Sequence, residues 1–147
     1  MLLTKPVIAA VEGNAVFGVY CRRWDVPLID GGTIRLSRLH GHSHALDLIL
    51  TGRGVSGGEA RSMGLANLIV ANGTALAAAM DLSVQLSGFP QRCLRSDRRS
   101  SYEQWGMGLE EALLNESVLG LRTLRSGESR EGAARFAAGA GRHGTPA

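Results

Sequence analysis

Three histidines stand two residues apart in the middle of the chain, and imidazole is a common metal ligand. They are His40, His42 and His44, with Asp47 nearby. A spacing of two places side chains on one face only if the segment is extended. Ser43 is instead a typical N-cap and predicts a helix that continues to Leu50. No cysteine or acidic cluster in the sequence completes a zinc-type ligand set. We therefore expect histidines at a helix start and no metal site.

A second candidate is the arginine cluster Arg92, Arg95, Arg98 and Arg99, interrupted by Asp97. On a helix, positions 92, 95 and 99 lie along one stripe, so a solvated helix face is the first interpretation. The alternative is a phosphate contact, because guanidinium groups bind phosphate through paired hydrogen bonds. No aromatic residues are interleaved here to stack on single-stranded RNA, so nucleic acid is not the expected partner.

A third candidate is Asp30, which precedes Gly31, Gly32 and Thr33. An aspartate at such a turn can accept hydrogen bonds from the N–H groups of Gly32 and Thr33 and act as a helix cap. Thr33 could also cap a short helix that runs to Leu39.

The charge of the chain is lopsided, with fifteen arginines, one lysine and a net charge of +3. Arginine suits phosphorylated ligands, although base composition of the genome alone would also produce this excess. Cys21 and Cys93 stand alone, as free thiols of a reducing compartment do. The N-terminal residues have no signal-peptide pattern, and the apolar run Val7–Val11 is far too short to span a bilayer. We expect an intracellular protein, cytoplasmic or in the mitochondrial matrix.

Apolar runs predict three strands, at 7–11, 15–20 and 66–71. Capping and stop signals predict seven helices, at 33–39, 43–50, 56–64, 74–86, 91–105, 109–124 and 129–138. Two parallel strands need a connection of a dozen residues or more, but only residues 12–14 separate the first two runs. These two runs therefore cannot be neighbouring parallel strands.

Several motifs follow one another in an order that is typical of one family. They are Lys5-Pro6-Val7-Ile8-Ala9-Ala10-Val11-Glu12-Gly13, Phe17-Gly18, Asp30-Gly31-Gly32-Thr33-Ile34-Arg35-Leu36, Leu50-Thr51-Gly52-Arg53, Glu59-Ala60, Gly64-Leu65, Gln104-Trp105-Gly106 and Ala134-Arg135-Phe136-Ala137-Ala138-Gly139. The chain thereby resembles the enoyl-CoA hydratase/isomerase (crotonase) superfamily. The resemblance implies an α/β fold, a partial crotonase-like (ClpP/crotonase spiral) unit with an all-helical C-terminal half.

The resemblance also implies missing parts. In the family, an oxyanion turn containing Gly-Gly, a helix and a strand lie between the motifs that end at Gly13 and begin at Phe17, and here only three residues do. We therefore expect a chain truncated at its N-terminus and lacking a segment between Gly13 and Asn14. The expected organisation is one incomplete domain over residues 1–147, with an α/β remnant at 5–73, a helical region at 74–138 and a tail at 139–147.

Few of the family's functional positions have a counterpart. Both oxyanion donors and the first hydratase glutamate fall in missing segments, and the position of the second glutamate holds Cys21. Asp30 matches an aspartate of the dienoyl-CoA isomerases and is the one candidate catalytic residue. Arg135 and Phe136 lie in a segment similar to the family's C-terminal helix and are candidate CoA contacts, with simple helix packing as the alternative.

Three functional hypotheses follow from the resemblance. The first is a protein that acts on or binds acyl-CoA thioesters, inactive as the isolated chain and with no cofactor beside this substrate. The second is a non-catalytic remnant that binds crotonase-type subunits or forms homo-oligomers. The third is an arginine-dependent RNA-binding module. Whether the chain is an enzyme stays open in the sequence.

Overall fold

Helices make up most of the chain, and the strands among the described residues are two short ones. The computed structural model describes residues 4–141. The strands are β1 (Phe17–Gly18) and β2 (Gly54–Val55), and the helices are α1 (Gly32–His40), α2 (His42–Thr51), α3 (Gly57–Ser62), α4 (Ala75–Gly88), α5 (Gln91–Glu103), α6 (Leu109–Arg125) and α7 (Glu128–Ala137). Short 3-10 helices cover Tyr20–Trp24 and Gln104–Gly106.

Residues 9–81 form one of two compact units. Its core is a small cluster of buried residues, Leu48, Val55, Ala60 and Met63. The antiparallel pairing of β1 with β2 brings Phe17 opposite Val55 and so onto the edge of this cluster. The core of this unit therefore joins α2, β2 and α3.

Local signals position α2 and α3 around this core. Gly52 ends α2 in the left-handed region with φ 60°, and its N–H donates to the Leu48 carbonyl. Such a helix stop favours glycine because a side chain is strained at this φ. Ser56 caps α3 by accepting a hydrogen bond from the Glu59 N–H at 3.3 Å. Both features are those that the sequence predicts.

The second unit comprises residues 82–141 together with residues 4–8. Within it α5 packs against α6, where Leu119 is buried. The Asn115 side chain donates to Glu103 at 2.9 Å across these two helices. Glu128, at the start of α7, accepts from the backbone N–H groups of Arg92 and Cys93 at 3.1 and 2.9 Å. A carboxylate of α7 thus caps the first turn of α5, where the helix dipole favours a negative charge.

The helical half of the prediction is confirmed, as is the fold class, but the strands are not. The runs 7–11 and 66–71 have no regular secondary structure, and the predicted strand 15–20 is reduced to β1. Within residues 4–141, no hydrogen bond of the backbone N–H groups of residues 7–11 or 68–70 is found. A strand needs a neighbour whose backbone groups bond to its own, and among the described residues neither segment has such a neighbour.

Two predicted caps are also wrong. α1 begins after Gly31, which has φ 85°, and no side chain caps it, so neither Asp30 nor Thr33 has the predicted role. α2 begins at His42, one residue before Ser43, after Gly41 with φ 79°. In both cases a glycine in the left-handed region makes the turn, and the polar side chain is not required for it.

Candidate functional site

Asp30 lies at an exposed turn before α1. Its backbone carbonyl accepts a hydrogen bond from the Arg35 guanidinium at 2.7 Å, which folds Arg35 back over the turn. Gly31 has φ 85°, a left-handed conformation that favours glycine, and a Cβ atom there would lie 2.8 Å from the movable Nη1 of Arg35. No hydrogen bond or ion pair of the Asp30 carboxylate is found within residues 4–141. Among the described residues, no second acid or base is found bonded to this carboxylate.

Cys21 occupies the 3-10 helix Tyr20–Trp24 as a half-buried free thiol. Its backbone carbonyl accepts from the Val26 N–H at 3.1 Å, which tightens the turn that follows. Arg23 lies over the ring of Tyr20, with 4.7 Å from the guanidinium carbon to the ring centroid. No contact in the described part of the chain joins Cys21 to Asp30. Cys21, which stands at the position of the second hydratase glutamate, is therefore not paired with Asp30, the one candidate catalytic residue.

A groove of about 150 Å³ lies beside the two segments that were expected to be strands. Its lining includes Val11, Gly13, Phe17, Gly58, Leu68 and Val70. Glu12 fixes one end, since its carboxylate accepts from the Gly73 N–H at 2.9 Å. The groove is apolar and bordered by backbone groups without partners. It therefore suits an apolar chain or an extended peptide segment more than a charged group.

The densest polar cluster of the unit is an ion triad around Arg53. Its guanidinium donates to Asp47 at 2.8 and 2.5 Å and to Glu59 at 2.5 Å. Hydrogen bonds from Arg53 hold the pKa values of both carboxyl groups below their ordinary range, and the same bonds raise the pKa of Arg53. The triad ties α2 to α3 across β2. Its role is to position these elements, because all three charges are satisfied by one another.

This triad is not predicted from the sequence. Arg53 and Glu59 stand in two of the family motifs, but the motifs do not indicate that the two side chains meet. Asp47 and Glu59 each stand six residues from Arg53, and this spacing indicates contact only once a turn is known to lie between them.

The three histidines do not form a metal site. His40 ends α1, while His42 and His44 begin α2, so the turn at Gly41 separates them. The Nδ1 atom of His40 is buried and has no hydrogen-bond partner in the described structure. Within residues 4–141, no group of three or more histidine, cysteine, aspartate or glutamate side chains could hold a metal ion.

Two of the four arginines of α5 have partners within their own helix. Arg99 forms an ion pair with Glu103 at 2.6 Å, and Arg98 lies over the Tyr102 ring at 4.6 Å. Arg95 makes a long contact, 3.5 Å, with the side chain of Gln91. The stripe of positions 92, 95 and 99 is thus neutralised at Arg99, while Arg95 keeps donors that the helix does not use.

The two candidate CoA contacts lie on α7, in the second unit. Phe136 is 62% exposed. Arg135 lines a recess of about 130 Å³ that also contains Glu128 and Glu131. A phosphate in this recess would meet two carboxylates as well as the guanidinium, which weakens the electrostatic attraction.

Among the described helices, none has the length and apolar character that crossing a bilayer requires.

Comparisons with known proteins agree with one another, although no family model matches the chain. Enoyl-CoA hydratase EchA19 of Mycobacterium tuberculosis is 32% identical over 92% of this chain and 58% of its own length. Probable enoyl-CoA hydratase 2, mitochondrial, of Arabidopsis thaliana is 30% identical over 92% of this chain and 52% of its own length. The chain therefore spans little more than half the length of these curated relatives.

Solved structures give the same result. A structure from Mycobacterium abscessus, assigned to the enoyl-CoA hydratases/isomerases, superposes with a TM-score of 0.85 at 28% identity, covering 91% of this chain and 63% of that one. Enoyl-CoA hydratase EchA1 of Mycobacterium marinum superposes with a TM-score of 0.79 at 25% identity, covering 85% and 50%.

The alignment with the Mycobacterium tuberculosis relative is longer than the chain itself. It has 155 positions, yet it takes in 92% of a 147-residue chain, which is about 135 residues. About 20 positions of the relative therefore have no residue opposite them in this chain. Relatives from Thermus thermophilus and Rhizobium meliloti align over 154 positions and 90–91% of the chain. About 20 of their positions therefore also have no residue opposite them in this chain.

Proposed function

Because the chain belongs to the enoyl-CoA hydratase/isomerase (crotonase) superfamily, we propose that it binds acyl-CoA thioesters but does not hydrate them as an isolated chain. The names of its relatives support the ligand class. The observation that carries the inactivity is the isolation of Asp30, whose carboxylate faces solvent with no second acid or base against it. We place this function inside the cell, in the cytoplasm or the mitochondrial matrix, and one relative is named mitochondrial.

The chemistry explains why one carboxylate is not enough. Hydration of an enoyl thioester builds negative charge on the thioester oxygen, and preorganised N–H donors stabilise it by about 3–4 kcal/mol each. A positioned carboxylate adds about 10²–10⁴-fold in rate, and only if the substrate is held against it. At Asp30 the nearest guanidinium, that of Arg35, donates to the Asp30 carbonyl and is held at the backbone of the turn. Within residues 4–141 no second acid or base is found bonded to the Asp30 carboxylate, so the turn offers a single proton-transfer group.

The proposed position of the acyl group is the apolar groove beside Val11 and Leu68. Its volume, about 150 Å³, is sufficient for a short acyl chain and not for the nucleotide. Arg135 and Phe136 would contact the CoA portion of a ligand bound by a neighbouring subunit. No cofactor beyond the thioester is part of this proposal.

Two measurements test the proposal. Hydration of crotonyl-CoA by the purified chain and by Asp30→Asn should be undetectable in both, because the catalytic groups are not assembled. Equilibrium dialysis with butyryl-CoA, which cannot be hydrated, should show binding that Leu68→Asp weakens and the exposed control Leu109→Asp does not. Turnover that disappears in Asp30→Asn would overturn the inactivity, and absence of butyryl-CoA binding would overturn the ligand class.

A second function, binding of crotonase-type subunits or of further copies of the chain, is favoured by the surface. Leu68 and Ile69, in the unit formed by residues 9–81, are 63% and 55% exposed. Their side chains are apolar, and the backbone N–H groups of residues 68–70 have no hydrogen bond within residues 4–141.

The backbone at these residues indicates how a partner would bind. Apolar extended segments with unpaired N–H and C=O groups are templates for added strands. Sedimentation velocity at micromolar concentration should therefore show oligomers, and Ile69→Pro, which removes one N–H donor, should reduce them. A monodisperse monomer for the unchanged chain would contradict this second function.

A further inference from the structure

A cleft at the corner between α4 and α5 is not explained by either proposed function. It has a volume of about 270 Å³ and lies within the second unit. Its floor is apolar, formed by the half-buried side chains of Ile8, Leu86 and Leu94. Lys5 and Arg95 line it from the N-terminal segment and from α5. The cleft therefore combines an apolar floor with two positive charges.

Neither charge is neutralised by a carboxylate. Within residues 4–141, the ion pairs join other residues, and the only contact found for Arg95 is the long one to Gln91, at 3.5 Å. Among the arginines of α5, Arg99 is paired with Glu103 and Arg98 with the Tyr102 ring. Unlike Arg98 and Arg99, Arg95 therefore keeps most of its guanidinium donors available.

The corner that carries the cleft is well braced. The Gln91 side chain donates to the carbonyls of Leu86 and Phe89, both at 2.9 Å, and so ties the end of α4 to the start of α5. Ser87 donates to the Val84 carbonyl at 2.7 Å, which leaves its oxygen lone pairs as acceptors. The walls are therefore held by hydrogen bonds that a ligand does not need to break.

We propose that this cleft binds a small organic anion, with its carboxylate or phosphate against Lys5 and Arg95 and its apolar part on Ile8, Leu86 and Leu94. Two cations and an apolar floor favour an anion that also carries an apolar chain. A purely polar anion would gain no binding energy from the floor, and a neutral apolar chain would gain none from the cations. The volume is near the lower end of that of small-molecule sites, which fits a chain of several carbons. The site does not depend on the groove proposed for the acyl group.

Titration calorimetry with a carboxylate series tests the proposal. Affinity should rise from acetate through butanoate to octanoate, because each buried methylene adds apolar contact. Arg95→Gln and Lys5→Gln should each weaken octanoate binding about two- to fivefold, the range expected for exposed ion pairs. Arg92→Gln removes the same charge from the same helix outside the cleft and should leave the affinity unchanged.

Two further measurements separate a requirement for a carboxylate from a requirement for any anionic group, and test the role of the apolar floor. We expect octyl phosphate to bind as tightly as octanoate and inorganic phosphate to bind no better than acetate. This result would confirm that the cleft requires both an anionic group and an alkyl chain. Leu94→Ala should reduce the gain from acetate to octanoate and leave acetate itself unaffected. Affinity independent of chain length, an equal loss in Arg92→Gln, or no octanoate binding at millimolar concentration would overturn the site.

Discussion

Replacing Leu48 by alanine should destabilise residues 9–81 more than any change on the outer face of the same helix. Leu48 is 1% exposed and lies in a cluster with only Val55, Ala60 and Met63 as buried partners. Leucine-to-alanine changes in cores cost about 2.7–5 kcal/mol, with the lower values where neighbours can close the cavity. Five neighbours around this cluster are only partly buried and can move. We therefore expect a loss of about 2.5–3 kcal/mol.

That loss is large for a unit of this size. At roughly 0.05–0.15 kcal/mol per residue, the 73 residues from Ala9 to Asp81 would have a stability of about 4–11 kcal/mol. Because the core is small, we expect a value near the lower limit. Leu48→Ala would then leave about 1 kcal/mol, so that on the order of one molecule in ten is unfolded in this unit. The corresponding decrease in Tm is about 10–20 °C.

Urea and thermal unfolding followed by far-UV circular dichroism measure this effect, with Leu50→Ala as the matched control. Leu50 stands two residues further along α2 and is 60% exposed, so the same truncation should change the free energy of unfolding by no more than about 0.5 kcal/mol. Equal losses in the two variants at sub-micromolar concentration would refute the assignment of the core. Equal losses that appear only at high concentration would instead show that a second copy covers the outer face of α2.

Three further predictions follow from the described contacts. The lowered pKa values of Asp47 and Glu59 contribute stability that is present above about pH 5 and is lost as the pH falls through the folded-state pKa values. Because Arg53→Gln removes the cause of the lowered values, Tm in thermal scans should decline less between about pH 5 and 3 in this variant. Gly52→Ala should lower the free energy of unfolding in urea by about 1–2 kcal/mol, because residue 52 has φ 60°. The nearest atom to an added Cβ is 3.4 Å away, so the loss would come from the strained backbone conformation and not from a steric clash. Burial and then Asp97 raise the pKa of the Cys93 thiol, so Asp97→Asn in a Cys21→Ser background should speed its alkylation by iodoacetamide at neutral pH.

The helices could be predicted because their hydrogen bonds and their end signals are local. Ser56 accepts from the N–H of Glu59 three residues later, as the capping pattern predicts. Gly52 ends α2, and Gly127, with φ 93°, lies between α6 and α7. Both glycines stand where the sequence predicts a helix to stop. Each signal acts within one turn of helix, so the missing parts of the family fold do not affect it.

The strands could not be predicted because their hydrogen bonds come from elsewhere in the sequence. The run Val7–Val11 has the composition of a buried strand, but composition does not supply a neighbour. β2 was not predicted, because the two residues Gly54–Val55 show no alternating apolar pattern. This strand forms only because it pairs with β1, 36 residues earlier in the sequence. The triad around Arg53 depends on the same turn and was missed with it. Asp30 was assigned as a cap from residue type alone, whereas φ 85° at Gly31 makes the turn without it.

The relatives have roughly 20 aligned positions with no residue opposite them in this chain, and we propose that this loss underlies the failed strands. A parallel strand connection needs at least a dozen residues, so about 20 positions are enough to hold one such crossover. Segments on either side of a lost crossover would keep their apolar side chains and lose their hydrogen-bond partners, and the N–H groups of residues 7–11 and 68–70 have no hydrogen bond within residues 4–141. Catalysis in acyl transfer depends on groups brought together from distant parts of a fold, and it is these long-range contacts that a lost crossover removes. Helices α2 to α7 depend on near neighbours and remain. On this proposal the chain would be suited to binding, and the segments 7–11 and 68–70 would be the places where a partner's strand adds hydrogen bonds.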